Sequence, residues 1–91
     1  MNYTIEYSEK FKKKVVKFLK KHKFLEDKFY KTIELLEKDP FYPSLRLHKL
    51  NGKLDNYYSV SIDMQYRIIL NFIIYENHLV LLDIGNHDEV Y

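Results

Sequence analysis

An α+β fold in the order β-α-α-β-β-β is predicted, with an N-terminal helical hairpin packed on one face of an antiparallel sheet. Three observations carry it. Apolar residues recur at helical spacing between residues 9 and 39, and after residue 56 they follow strand alternation or form unbroken runs. The length of 91 residues leaves room for one core, so residues 1–91 are expected to form a single domain.

Tyr3, Ile5 and Tyr7 alternate with polar residues, the period of a half-buried strand. Ser8 supplies an N-cap oxygen and Glu9 suits the positive end of a helix dipole. Phe11, Val15, Phe18 and Leu19 then mark one face of a helix running to about His22, with most of the lysines opposite. A second helix is expected from Leu25 or Glu26, carrying Phe29, Ile33 and Leu36, and it should stop at Asp39 because Pro40 disfavours the α conformation in the residue before it. Phe41 to Ser44 reads as a turn, and the basic run from Leu45 to Asn56 as a loop bending at Gly52. Tyr58, Val60 and Ile62 alternate again, and Tyr66 to Tyr75 and Leu79 to Ile84 are apolar runs. Asp63 to Gln65 and Glu76-Asn77 are short enough for antiparallel hairpin turns, so these strands should form a meander.

Composition excludes several classes. With 46% apolar and 31% charged residues the chain lies in the globular range. The absence of Cys rules out disulfides and thiolate zinc clusters. No apolar stretch is long enough for a membrane span and no signal-peptide pattern opens the chain, so a cytoplasmic protein without membrane attachment is expected. Net charge is +2, unevenly placed: residues 1–38 hold 11 Lys against 6 acids. That half is either a solvated face or a surface for a polyanion or an acidic protein segment.

Arg67, in Tyr66-Arg67-Ile68-Ile69-Leu70, is a guanidinium within an apolar strand and needs an anionic partner. Two readings stay open: an ion pair with Asp83 on the next strand, register permitting, or a clamp for phosphate oxygens. His87 follows Gly85 at the end of the last strand, where an imidazole titrating near neutral pH suits general acid or base work. His48 lies in the basic loop with Arg46, Lys49 and Lys53. His22 and His78 lack supporting neighbours and read as surface residues. No His spacing suggests a metal, no cofactor is expected, and 2 Gly cannot build a phosphate-cradling loop.

End to end, the chain resembles toxins of the RelE/ParE superfamily from type II toxin-antitoxin modules, closest to the YafQ-like branch. The resemblance rests on the element order, on Leu47-His48-Lys49-Leu50-Asn51-Gly52, on Tyr66-Arg67-Ile68-Ile69, and most specifically on Ile84-Gly85-Asn86-His87-Asp88-Glu89-Val90-Tyr91. It implies a ribosome-dependent endoribonuclease that cuts messenger RNA in the A site by metal-free acid-base catalysis, the 2′-hydroxyl acting as nucleophile, until a cognate antitoxin neutralises it. By the same resemblance, His48 and His87 are the proton-transfer pair, Arg67 stabilises the scissile phosphate and Tyr91 stacks on or positions the nucleotide. Arg46, Lys49 and Lys53 would hold the RNA backbone through charge. Where YafQ-like members carry a further His and an Asp, this chain has Ser61 and Gln65. Two alternatives stand beside this reading: a ParE-like poison of DNA gyrase, and a catalytically degenerate relative that binds antitoxin.

Overall fold

The computed structural model describes residues 2–50, 57–73, 76–86 and 90. Strand β1 (Thr4–Tyr7) leads into helix α1 (Glu9–Lys21), a single 3-10 turn (Lys23–Leu25) and helix α2 (Glu26–Lys38). A second 3-10 turn (Pro43–Leu45) precedes β2 (His48–Lys49), β3 (Tyr57–Ser61), β4 (Tyr66–Ile73) and β5 (His78–Asn86).

The local chemistry explains the boundaries. Ser8 Oγ accepts the Phe11 N–H at 3.1 Å and starts α1, while Lys20 and Lys21 sit in its last turn, where the dipole favours cations. Phe11, Val15 and Phe18 are buried, and the His22 N–H closes the helix on the Phe18 carbonyl. Glu26 and Asp27 occupy the first turn of α2, which ends at an extended Asp39 ahead of Pro40. The buried face of α2 is Phe29, Thr32 and Leu36, rotated from the expected stripe so that Ile33 is only partly buried. Thr32 tolerates burial because its hydroxyl donates to the Lys28 carbonyl at 2.8 Å.

The five strands lie in the order β1-β5-β4-β3-β2. Two features correct the predicted antiparallel β-α-α-β-β-β arrangement. β1 pairs with β5 in parallel, from Thr4 opposite His78 to Tyr7 opposite Leu81. Hairpin turns fix direction only between strands consecutive in the chain, and β1 reaches β5 after everything else has intervened. The basic stretch expected to be a loop also contributes an edge strand, with His48 opposite Ser59 and Lys49 opposite Tyr58. Two residues are too few for periodicity to register.

The core lies between the helices and one face of the sheet. Phe11, Phe29, Leu36, Val60, Ile68, Leu70, Leu79, Leu81 and Ile84 belong to it, with the Phe11 and Phe29 rings stacked at 6.4 Å. β5 keeps its apolar side inward through a bulge: Ile69 faces Asp83 but Leu70 faces Leu81, so Leu82 is extra. Strict alternation from Leu79 and Leu81 would drive Asp83 into the core; the extra residue gives Ile84 the buried place instead.

Candidate active site on the face turned from the helices

Tyr66, Ile68 and Leu70 point into the core, so alternation sends Arg67, Ile69 and Asn71 to the other face of β4. Register joins these to neighbouring strands in rows. One row runs His48, Ser59, Ile69, Asp83, and the next runs Ser61, Arg67, Gly85. His48 and Arg67 therefore share a face, separated by one intervening strand and two residues, about 12 Å between Cα atoms at ordinary sheet spacings.

His48 is exposed in β2, its Nδ1 3.2 Å from the Arg46 carbonyl oxygen. A carbonyl can only accept, so a neutral ring carries its proton on Nδ1 and Nε2 is the basic nitrogen. Arg46 caps the second 3-10 turn in the left-handed region at φ 50°, a conformation a long side chain adopts only under constraint. It lines a cavity of about 240 Å³ with Lys28, Ser44, Ser61 and Asp63. Lys49 is exposed beside His48.

Arg67 is half-buried, and its Nη1 has no hydrogen-bond partner among the described residues. The ion pair with Asp83 does not form. Register places Gly85, not Asp83, opposite Arg67, and the Asp83 carboxylate is taken by Lys14, with Lys10 at 3.7 Å, both reaching from α1. These lysines sit within the face expected to be solvated; the bulge that expels Asp83 from the core supplies their anchor.

A small second apolar cluster covers part of this face: Leu50, Ile69 and Val90, with Tyr57 packed against them. Beside it lies a cavity of about 350 Å³ bounded by Lys10, Tyr57, Ile69, Leu82, Asp83 and Val90. Val90 thus packs against the strand that carries Arg67. His87, Tyr91 and Lys53 lie outside the described residues. The structure places His48 on β2 and Arg67 on β4 on one face, with β3 between them and Arg46 at the approach to β2, while Lys49, opposite Tyr58, alternates to the other face.

Two histidines read as surface residues have partners. The His22 ring packs against Phe18 at 4.6 Å and Tyr66 at 4.7 Å, and His78 Nε2 lies 3.0 Å from Glu6 across the β1–β5 pair. The His22–Tyr66 and His78–Glu6 contacts join distant stretches of chain, beyond the reach of local spacing. Among the described residues no three His, Asp or Glu side chains gather as metal ligands, and no helix is long and apolar enough to cross a membrane.

Comparison with known proteins follows the same pattern. Residues 3–91 match the family described as "Bacterial toxin of type II toxin-antitoxin system, YafQ". No curated protein sequence matches the chain. The fold is shared with YafQ from Escherichia coli strain BL21(DE3), at 21% identity over 98% of both chains and a TM-score of 0.80. It is also shared with the E. coli DinJ-YafQ toxin-antitoxin complex, at 22% identity over 100% of this chain and 99% of that one, TM-score 0.79. A metal-bound toxin from Helicobacter pylori is 30% identical over 100% of both chains, with a TM-score of 0.76. With all but the first two residues inside the family match, the chain belongs to the YafQ toxins of bacterial type II toxin-antitoxin systems.

Proposed function

We propose that the face turned from the helices is an RNA-cleaving site, and that residues 1–91 act as one toxin domain, a ribosome-dependent endoribonuclease cutting messenger RNA in the A site. The unpartnered Nη1 of Arg67 is the observation that carries this reading. A guanidinium nitrogen buried without a partner is expensive, and the ligand that relieves it is an anion whose oxygens match the planar fork, as a phosphodiester does.

Cleavage with the 2′-hydroxyl as nucleophile requires a base for its proton, an acid for the departing 5′-oxygen and a cation facing the charge that builds on phosphorus. Arg67 is the cation. His48, exposed on the same face with Nε2 as its basic nitrogen, is one proton-transfer group. His87 is the other; in sequence it stands one residue after Asn86 and two after Gly85, the residue paired with Arg67. Tyr91 follows Val90, which packs on Ile69, and its role is to stack on or position the nucleotide. Arg46, Lys49 and Lys53 hold the RNA backbone through charge, so binding should weaken with salt.

A cognate antitoxin is the proposed partner, on the strength of the DinJ-YafQ complex among the similar structures. Induced expression in growing bacteria, with primer extension on an abundant messenger, tests the nuclease. Wild type should arrest growth and leave new in-frame cuts, while His87→Ala and Arg67→Ala, folded by circular dichroism, should lose on the order of 100-fold or more in cutting. Arrest without cuts, or full cutting by His87→Ala, would refute the assignment.

A further inference from the structure

Among the described residues, two buried side-chain polar atoms lack a hydrogen-bond partner, Arg67 Nη1 and Ser61 Oγ. They belong to residues that stand directly opposite each other in the β3–β4 ladder. Directly opposed residues hold their Cβ atoms about 5 Å apart, so the guanidinium is within reach of the hydroxyl. On the other flank of Arg67 is Gly85, which offers no side chain, and the nearest carboxylate on that strand, Asp83, is held by Lys10 and Lys14. Ser61 is thus the one member of Arg67's row whose side chain can fix the guanidinium. Its hydroxyl is too buried to meet substrate itself, whereas Arg67 is half-buried and reaches the surface.

We infer that Ser61 is a positioning residue for Arg67. When a phosphate engages the guanidinium, one Nη1–H donates to Ser61 Oγ while the other joins the remaining N–H groups facing the anion, so both orphans are satisfied together and the plane is held. Free protein leaves the pair unmade; the anion closes it. The inference rests on the reading that Arg67 meets the scissile phosphate, and it gives this chain a hydrogen-bonding hydroxyl at a place where proton transfer is impossible for the side chain present.

The test is a titration of the purified protein with inorganic phosphate, followed by ¹⁵N NMR at backbone amides of β4 and, where Arg67 is present, at its side-chain N–H signals. The proteins compared are wild type, Ser61→Ala, Ser61→Thr, Arg67→Lys and the Ser61→Ala/Arg67→Lys double variant. Ser61→Ala should weaken phosphate binding about tenfold when Arg67 is present and less than about twofold in the Arg67→Lys background, where the ammonium is flexible and only the planar fork needs holding. Ser61→Thr, which keeps the hydroxyl, should recover most of the loss. The thermal midpoint of Ser61→Ala should not fall, since no hydrogen bond of the free protein is removed. Equal losses in the two backgrounds at position 67, no loss at all, a loss that Thr does not recover, or Arg67 signals that phosphate leaves unmoved would each overturn the inference. Messenger cutting measured alongside separates the two levels. Coupled phosphate binding in a protein that cuts no messenger refutes the nuclease and leaves Ser61 in its role; cutting by Ser61→Ala at the wild-type rate refutes the role alone.

Discussion

Within β4 the two faces of the sheet can be compared residue against residue. Ile68 and Leu70 are fully buried beneath the helices, in a core whose apolar side chains meet one another, down to the Phe11–Phe29 stack. Arg67, one residue away on the opposite face, buries a nitrogen that no described residue satisfies, opposite a serine in the same condition. Alternation alone separates the two. The first face is organised to be stable without a ligand. The second keeps polar groups in an arrangement that an anion would complete, and such local conflict is where function is expected to concentrate.

The contrast breaks most visibly under truncation. Phe11→Ala should lower unfolding free energy by about 3 to 5 kcal/mol, since the ring is fully buried against Phe29 and Tyr7 and leaves a cavity the helix cannot close. Urea denaturation checks this, and a loss below about 1 kcal/mol would mean that the helix-covered face repacks freely. Arg67→Met should move stability the other way, by about 1 to 3 kcal/mol, because it removes an unsatisfied buried nitrogen and keeps the aliphatic stem. The same denaturation series reads it. A destabilised Arg67→Met would show that the guanidinium already has a partner in the folded protein, and the comparison between the faces would fail.

How far the sequence discloses each face follows from the range of the forces involved. The helices are legible because their signals are local: the Ser8 cap, the Phe11-Val15-Phe18 stripe and the Pro40 stop all act within a few residues. Strands β3, β4 and β5 are legible as alternating or unbroken apolar runs for the same reason. The parallel seat of β1 against β5 is not, nor the two-residue β2, since both depend on partners distant in sequence. At the candidate site, the residue types of Arg67 and His48 and the surrounding charge can be read directly. Two parts of the geometry cannot: the bulge at Leu82 that gives Asp83 to Lys10 and Lys14, and the register that leaves Arg67 between Ser61 and Gly85. Register is a property of pairs of strands, and no single strand carries it.

The smallest expected effect belongs to the helix-covered face and comes from Tyr7, the end of β1, whose ring meets Phe11 edge-on at 5.1 Å. Burial pushes its phenol pKa above the usual 10.0, and the neighbouring Tyr30 and Glu37 add to the shift because a phenolate there would face negative charge. The folded state therefore holds the Tyr7 proton more tightly than the unfolded chain does. Its contribution is fully present below pH 10.0 and is lost as pH rises through the folded pKa, so stability should decline between 10.0 and that raised value. Tyr7→Phe keeps the ring against Phe11 and removes the titrating group. In thermal melts carried from below pH 10.0 to above it, the variant should show a shallower alkaline decline than wild type. Identical slopes would place the Tyr7 hydroxyl in contact with water in the folded protein, and the boundary of the dry face would then fall inside β1.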